Sequence, residues 1–361
     1  MRNNAFSRKS LEKYYTTGVF QHVLNREKKV RMTPYVTVIV TAYNRQEFLN
    51  AALESLIAQD AHAGEFEVIV VKNFENSEVE RTIDRMGAHS IYDNSPALHS
   101  FSAEAVRRAR GEVLCFLDDD DLFLPDKIST VMSIFRNNPE IDYYHNAIDY
   151  IDTGGNVIAP PFSFRFSVLE RKGGAIVLKH DEVRMKVQEL VAGQCDYNNS
   201  SISVRKKILY ENLEVAGKTV SAHDSLLFYL AAMCGRALMI DSRVLTHYRL
   251  NGKSVTVSSR YEFSARQVKT FTVLSEFADA MGEKEIACVL KRQTYLFELI
   301  KNISDPEVDM LRVAGACISF MRHSACYGRA ANLFPQVLAA VYILSPRLSR
   351  KIYKKVLMAR L

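Results

Sequence analysis

The chain has 361 residues, of which 48% are hydrophobic and 24% are charged, and its formal net charge is +6. This is the composition of a globular protein long enough for one large domain and an appendage, each able to bury apolar surface. No stretch reaches the ~20 apolar residues of a membrane-spanning helix, and the nearest candidate, at 330–345, is short and interrupted by Pro335. The basic, polar N-terminus lacks the apolar segment of a secretory signal.

The net charge hides an uneven distribution along the chain. Residues 1–31 carry eight Lys or Arg against two Glu, and residues 347–361 carry six against none, so the middle of the chain is acidic. Such basic ends either solubilise a protein or attract anionic lipid head groups or nucleic acid. Because the sequence contains no recognisable nucleic-acid-binding module, we predict no nucleic-acid partner.

The last segment, 347–361, has an apolar face and basic side chains on its other faces, which predicts an amphipathic helix. A helix of this kind lies in a membrane interface or packs on the protein's own core. The six cysteines are scattered without CxxC spacing, which favours buried free thiols in a reducing cytoplasm over a zinc site. We therefore predict a cytoplasmic protein with peripheral contact at the inner face of the membrane.

The first third of the chain alternates strands with helices. The β-branched runs VTVIV at 36–40 and FEVIVV at 66–71 are typical of strands buried on both faces. Apolar stripes with helical spacing follow each run. The predicted elements are strands at 36–40, 66–71, 90–92 and 113–117, and helices at 48–57, 77–86 and 102–110, the last with Ser102 as its N-cap. This order predicts a parallel sheet.

The middle of the chain is less regular, and residues 160–192 stay unassigned. We predict helices starting at Pro125, at 206–211 and at 223–234, and strands at 141–151, 157–158, 200–204, 238–240 and 244–248. A hairpin turn at 153–156 joins the strands on either side of it. From about residue 259 only helical stripes follow, which indicates a domain boundary.

The most unusual stretch is GEVLCFLDDDDLFLPDK, at 111–127. An apolar strand runs directly into four consecutive carboxylates, which are costly to bury unless a cation or hydrogen-bond donors compensate them. In open α/β sheets, ligands bind beyond the carboxyl ends of the strands, where this cluster falls. The stretch is either a solvated acidic turn or a ligand site.

Several motifs in order carry a family resemblance. VTVIVTAYNR, FEVIVV, ARGEVLCFLDDDDLFLPDK, HDSLL and HYRLNGKS resemble motifs of the family 2 glycosyltransferases between residues 36 and 255. The resemblance implies an α/β GT-A nucleotide-diphospho-sugar transferase fold, a Rossmann-like mixed sheet flanked by helices, with a C-terminal helical extension. The implied division is a basic arm at 1–34, a glycosyltransferase domain at 35–257 and a helical region at 258–361.

The family's chemistry is the inverting, metal-dependent transfer of a sugar from a nucleotide-diphosphate donor to a hydroxyl of a glycan or lipid-linked saccharide. Asp118 and Asp120 match the DxD pattern, which implies that Asp120 binds Mn²⁺ or Mg²⁺ directly. Asp118 or Asp119 would face the ribose or a metal-bound water, and which aspartate does which job stays open. His247 would complete the metal shell, contact diphosphate or be structural, with Arg249 as a phosphate partner.

Asp224 aligns with the family's catalytic aspartate, which removes the proton of the acceptor hydroxyl. The alternative is a helix cap. The residue before it, His223, departs from the family, which commonly has Glu there. By resemblance, Thr41, Ala42 and Tyr43 hold the base and ribose.

Two further departures concern the nucleotide. The second strand ends in Lys72-Asn73-Phe74-Glu75 in place of an Asp-Asp-Gly-Ser turn, so Asn73 would meet a base edge and Lys72 a phosphate. The Arg-Asn pair usual before the DxD strand is missing. These departures leave base identity open and favour, as an alternative, a non-catalytic GT-A-like protein that binds a glycan or partner. A nucleotidyltransferase would need a Gly-rich or basic phosphate loop, which TAYNR is not.

Overall fold

The structure, a computed structural model, describes residues 33–62, 64–94, 103–159, 173–251, 260–305, 312 and 315–320. Three parts of the sequence interpretation therefore lie outside the described residues. They are most of the basic arm, the N-cap at Ser102 and the basic helix at 347–361.

Strands and helices alternate through the first half of the chain. The strands are Val36–Ala42 (β1), Phe66–Lys72 (β2), His89–Tyr92 (β3), Val113–Asp118 (β4), Leu122–Phe123 (β5), Ile141–Ile151 (β6), Val157–Ile158 (β7), Ala175–Lys179 (β8), Ile202–Arg205 (β9) and Ala237–Arg249 (β10). The helices are Leu49–Ile57 (α1), Ser77–Met86 (α2), Ala103–Arg108 (α3), Lys127–Asn137 (α4), His180–Ala192 (α5), Lys206–Tyr210 (α6), Leu213–Lys218 (α7), His223–Cys234 (α8), Arg260–Met281 (α9) and Lys284–Ser304 (α10).

Within the described part of the chain, these ten strands form one sheet, with β3-β2-β1-β4-β9-β6-β10-β5 as its order. The first four strands in that order run parallel, as predicted. β9 is antiparallel to β4 and β6, whereas β6 and β10 are parallel. β5 and β8 pair antiparallel with β10, and β7 with β6. The sheet is therefore mixed, as the predicted fold class requires.

Both faces of the central strand β1 are buried, which explains its unbroken apolar sequence. Val38 and Val40 pack on one face with α1 and α4. Ile39 packs on the other face in a cluster that includes residues of α3, α5 and α8. Successive side chains of a strand point to opposite faces, so a sheet covered on both sides needs apolar residues at every position.

The register of the parallel strands brings their carboxyl ends together. Thr41 pairs with Asp118 of β4, and Ala42 pairs with Lys72 of β2. The approach of the chain to β4 requires glycine at Gly111, because a Cβ there would lie 2.5 Å from the backbone nitrogen of Thr37. The acidic run therefore begins at the edge of the sheet where β1 also ends.

The two long C-terminal helices pack on the α/β part of the chain. Phe271 and Leu274 of α9 and Leu290 of α10 lie in the same buried cluster as Leu227 of α8. The division of the chain at residue 257 remains a prediction. Among the described helices, none combines the length and the apolar character needed to cross a membrane.

Several element predictions need correction. Helix α4 begins two residues after Pro125, at Lys127. The two strands predicted at 238–240 and 244–248 are one strand, β10, whose register shifts between Asp241 and Val244. The strand predicted from Ser200 begins at Ile202, after a 3₁₀ turn. The predicted free thiols are confirmed for the described cysteines, of which Cys115, Cys195 and Cys317 are buried.

Candidate active site

The acidic run forms a buried turn between β4 and β5. Asp121 donates its backbone N–H to the carbonyl of Asp118 at 3.2 Å. Asp119, Asp120 and Asp121 are 2%, 8% and 0% exposed. This burial excludes a solvated acidic turn, so the charge of the run must be compensated inside the protein.

Arg45, in the loop after β1, supplies part of that compensation. Its Nη1 donates to Asp120 Oδ2 at 2.8 Å, and its Nε donates to Asp119 Oδ2 at 3.2 Å. Asn251 Nδ2 donates to the same Asp120 oxygen at 2.7 Å. The guanidinium therefore neutralises charge on two of the four aspartates, and the sequence analysis assigned Arg45 no role.

Asp121 and Asp118 have different partners. Asp121 accepts the backbone N–H of Arg249 at 3.0 Å and Asn198 Nδ2 at 3.2 Å, which ties the turn to β10. Asp118 accepts Asn199 Nδ2 at 3.0 Å. Burial first, and then the Asp120 carboxylate, raise the pKa of Asp118 from its ordinary 3.8 to about 6. The repulsion between the carboxylates of Asp118 and Asp120 is therefore only partly offset.

A cavity of about 450 Å³ opens beside this turn. Asp118 and Asp120 line it, whereas Asp119 and Asp121 are not among its lining residues. Thr41 and Tyr43 line the same cavity, while Ala42 is buried beneath them in the sheet. The tertiary structure thus distinguishes the first and third aspartates from the other two.

Asp224 lines this cavity as well, from the first turn of α8. Its Oδ2 accepts the backbone N–H of Asn198 at 3.1 Å, and its Oδ1 accepts that of Ser225 at 2.9 Å. Burial raises the pKa of Asp224. The predicted base and the acidic run, which are about a hundred residues apart in the chain, therefore face one cavity.

His223 connects the two ends of this site. Its Nδ1 pairs with Asn199 Oδ1 at 2.8 Å, and Asn199 in turn donates to Asp118. Burial lowers the pKa of His223 to about 3, so the ring is neutral. Since the Asn199 oxygen only accepts, the Nδ1 of the neutral ring carries the proton. Where the family commonly has Glu, this chain has an uncharged donor.

A third carboxylate, Asp196, was not found by the sequence analysis. It lines the cavity and accepts Ser225 Oγ at 3.2 Å. Burial, and next the nearby Asp224 carboxylate, raise the pKa of Asp196 from its ordinary 3.8 to about 7. No motif or periodicity around Asp196 indicates this position, because only the fold brings it to Asp224.

The raised pKa of Asp196 gives a pH-dependent prediction for Asp196→Asn. A carboxyl group whose folded-state pKa is raised costs stability increasingly as pH rises from about 4 to about 7. The free energy of unfolding of the variant should therefore exceed that of the wild type by at least about 1 kcal/mol at high pH. Urea denaturation at several pH values measures this gap. It should close in acid, and a gap that is constant or wider in acid would contradict the prediction.

The remaining predicted site residues lie outside this cavity lining. Asn73 exchanges two hydrogen bonds of 2.8 Å with Asn44. Lys72 is buried and forms an ion pair with Glu80 at 2.6 Å. His247 pairs with Leu122 of β5 across the strand ladder and is not among the residues that line the cavity.

Arg249 supports the acidic turn from β10. Its Nε donates to the backbone carbonyl of Asp120 at 2.8 Å, and its Nη1 donates to that of Asp152 at 2.8 Å. Both donors bind backbone carbonyl groups, so Arg249 stabilises the acidic turn.

The donor atoms at this site suit a cation that substrate phosphates also bind. Among the described residues, no group of three His, Cys, Asp or Glu side chains is arranged to hold an ion. Mg²⁺ and related cations are, however, commonly bound by one or two carboxylates together with substrate phosphates. The neighbouring carboxylates of Asp118 and Asp120, whose mutual repulsion is only partly offset, fit that mode. His247 is not placed beside them in the cavity lining.

The fold is similar to that of the GT-A glycosyltransferases. Staphylococcus aureus TarS, residues 1–349 in complex with UDP-GlcNAc, aligns over 89% of this chain and 91% of its own, with a TM-score of 0.60 and 16% identity. A family model described as Glycosyl transferase family 2 matches residues 37–181. Over those residues the chain is similar to the family 2 glycosyltransferases.

Curated relatives are similar to part of the chain. An uncharacterized glycosyltransferase of Haemophilus influenzae is 30% identical over 132 residues, which are 35% of this chain and 44% of the relative. One from Nostoc sp. is 21% identical over 242 residues, which are 65% of this chain and 70% of the relative. The chain spans about half the length of the Haemophilus protein and of one from Methanocaldococcus jannaschii, with 44% and 50% covered.

Proposed function

We propose that this chain is an inverting, metal-dependent glycosyltransferase. It would move a sugar from a nucleotide-diphosphate donor to a hydroxyl of a glycan or lipid-linked saccharide. One observation carries the proposal: a single cavity is lined by the carboxylate pair Asp118 and Asp120 and, separately, by Asp224. The pair would hold the donor's diphosphate through a divalent cation. The separate carboxylate would take the proton of the acceptor hydroxyl.

At the donor end, Asp118 and Asp120 would hold Mg²⁺ or Mn²⁺ together with the phosphates. When bound, the cation supplies positive charge that stabilises the departing nucleoside diphosphate. Thr41 and Tyr43, at the end of β1, line the cavity next to these carboxylates. They would contact the nucleoside. When the donor and its metal ion bind, the hydrogen bond from Arg45 to Asp120 would weaken, because the guanidinium and the metal ion compete for the same carboxylate.

At the acceptor end, Asp224 acts as the general base. The acceptor oxygen attacks the anomeric carbon, the bond from that carbon to the diphosphate oxygen breaks, and Asp224 takes the hydroxyl proton. Two backbone N–H groups fix the orientation of its carboxylate. A raised pKa makes Asp224 a better proton acceptor than an exposed aspartate.

A screen of nucleotide sugars identifies the donor. The complex of TarS contains UDP-GlcNAc, so UDP-sugars come first in a screen. GDP- and dTDP-sugars follow, because the residues at the usual base-reading turn, Lys72 and Asn73, are engaged by Glu80 and Asn44. Release of nucleoside diphosphate from each donor, with Mn²⁺, with Mg²⁺ and with EDTA, measures the activity. Absence of release from every donor would refute the catalytic proposal.

One observation favours the alternative, a non-catalytic glycan- or partner-binding protein. Arg45 already occupies the carboxylates of Asp119 and Asp120, which reduces the charge left for a metal ion. The alternative predicts saccharide binding without release of nucleoside diphosphate. The same donor screen therefore separates the two functions.

Peripheral membrane contact remains part of the proposal and depends on residues 347–361. Six basic side chains and no acidic one in this segment favour anionic lipid surfaces. Deletion of the segment should reduce sedimentation with anionic liposomes, and the loss should be salt-dependent. Unchanged sedimentation would assign the segment to another role.

A further inference from the structure

One wall of the cavity is built by α9 and α10, beyond the residues that the family model matches. Phe263, Gln267 and Phe271 of α9 contribute to this wall, together with Gln293 and Phe297 of α10. The three positions on α9 recur every four residues, so their side chains share one face of the helix. We call these five residues the α9–α10 wall.

The α9–α10 wall is attached to the segment that carries the proposed base. Thr270 Oγ1 accepts the backbone N–H groups of Val220 and Ser221, both at 3.2 Å. Gln267 precedes Thr270 by three residues, about 4.5 Å along the helix axis. The rings of Phe271 and Tyr229, a residue of α8, meet edge to face at 6.3 Å. These contacts hold the wall beside the start of α8, where Asp224 lies.

Gln267 has an unsatisfied polar atom in this wall. The residue is 6% exposed, and its Oε1 has no hydrogen-bond partner among the described residues. A buried amide group without a partner is costly, so a ligand that supplies one gains binding energy. A hydroxyl group both donates and accepts, and therefore satisfies the amide in either orientation.

Aromatic rings lie on either side of this amide along the chain. The ring centroids of Phe263 and Phe297 are 6.2 Å apart at 74°, and Phe297 stacks on Phe271 at 5.6 Å. Phe263 and Phe297 remain partly exposed, whereas Phe271 is buried. A sugar ring offers C–H groups to aromatic faces and hydroxyls to amides, whereas a lipid chain would leave the buried Gln267 Oε1 without a partner.

We propose that the α9–α10 wall is a saccharide subsite that receives the acceptor ring. Gln267 hydrogen-bonds a ring hydroxyl, and Phe263 and Phe297 pack against the ring. Its role as acceptor site rests on the proposed glycosyltransferase function. A ring held there presents its attacking hydroxyl to Asp224, which takes the proton as the new bond to the anomeric carbon forms and the bond to diphosphate breaks.

The test uses the full chain with Gln267→Met, which removes both polar groups of the amide at similar volume. The Michaelis constant for saccharide acceptors should rise about tenfold, the effect of one hydrogen bond. The constant for the donor should change much less. Phe297→Leu, which keeps apolar volume but removes the aromatic face, should act in the same direction. Gln188→Met, on α5 and outside the cavity lining, is the matched control.

Two failures are distinguishable. If the wild type transfers sugar and both folded variants keep its acceptor constant, the subsite is wrong and the proposed function stands. If the wild type releases no nucleoside diphosphate, the function is wrong, and calorimetric titration with methyl glycosides and disaccharides decides the subsite. Binding that weakens about tenfold in Gln267→Met supports it. The absence of saccharide binding, or binding that is equal in both proteins, overturns it.

Discussion

Asp224→Asn is expected to lower the rate of sugar transfer by about 10²–10⁴-fold, the typical contribution of a general base. An amide has nearly the same shape as the carboxylate but does not take a proton from the acceptor hydroxyl. The change removes one acceptor oxygen from the backbone N–H groups of Asn198 and Ser225, so thermal unfolding must accompany the assay. Transfer to a fixed acceptor, with saturating donor, is the measurement.

Asp181→Asn provides a matched control for this prediction. Asp181 follows His180 at the start of α5, just as Asp224 follows His223 at the start of α8. The Asp181 side chain is 87% exposed and is not part of the cavity lining. If Asp224→Asn retained the wild-type rate while folded, Asp224 would be a helix-start residue without catalytic function.

The pH profile of the wild type gives an independent check. The active form of a base is deprotonated, and burial raises the pKa of Asp224. The transfer rate should therefore fall as pH decreases through that raised pKa, and the acid limb should lie above the range of an ordinary aspartate. The residual rate of Asp224→Asn should lack this limb.

Asp120→Asn is expected to weaken donor binding in the presence of Mn²⁺ by more than the ~10–100-fold that loss of an outer-shell partner costs at a metal site. The variant keeps an oxygen for Asn251 and Arg45 but loses the charge that would hold a divalent cation. Titration of nucleoside diphosphate with and without metal measures this effect, and the metal dependence itself should nearly disappear.

Asp126→Asn is the control for the second prediction, because Asp126 follows the same turn but is exposed and outside the cavity lining. If metal increased nucleotide affinity equally in Asp120→Asn and in the wild type, Asp120 would not be a metal ligand. The ion pair with Arg45 would then be its main role.

Local patterns predicted the first half of the fold well. Helix α2 was predicted at 77–86 and lies at Ser77–Met86, and β6 was predicted at 141–151 and lies at Ile141–Ile151. Each of these elements has a hydrophobic periodicity, set by the burial of one or both of its faces. A short window of sequence is enough to show that periodicity. Elements interrupted by polar residues were harder. The polar residues around Asp241 divided β10 in the prediction, although Asp241 bonds Tyr144 inside the sheet at 3.0 Å.

The resemblance assigned roles to Asp118, Asp120 and Asp224, each of which lies in a contiguous motif, and those roles stay predictions. It assigned no role to Arg45, Asp196 or Gln267. Arg45 ends the motif VTVIVTAYNR, but its role, like the positions of the other two, depends on contacts between distant segments. Arg45 meets Asp119 across 74 positions of sequence. Gln267 is brought to the cavity by helix packing alone, and nothing in its neighbourhood in the chain indicates a ligand.

The amino-acid sequence by itself determined the alternation of strands and helices, the family resemblance and the acidic run, since these depend on local periodicity and contiguous motifs. Only the tertiary structure decided which aspartates face the cavity, that Arg45 compensates two of them, and that α9 and α10 complete one wall. The physical reason is the mixed sheet. Its strand order places the ends of β1 and β4 side by side, and β9 and β10, from much later in the chain, join them in one sheet.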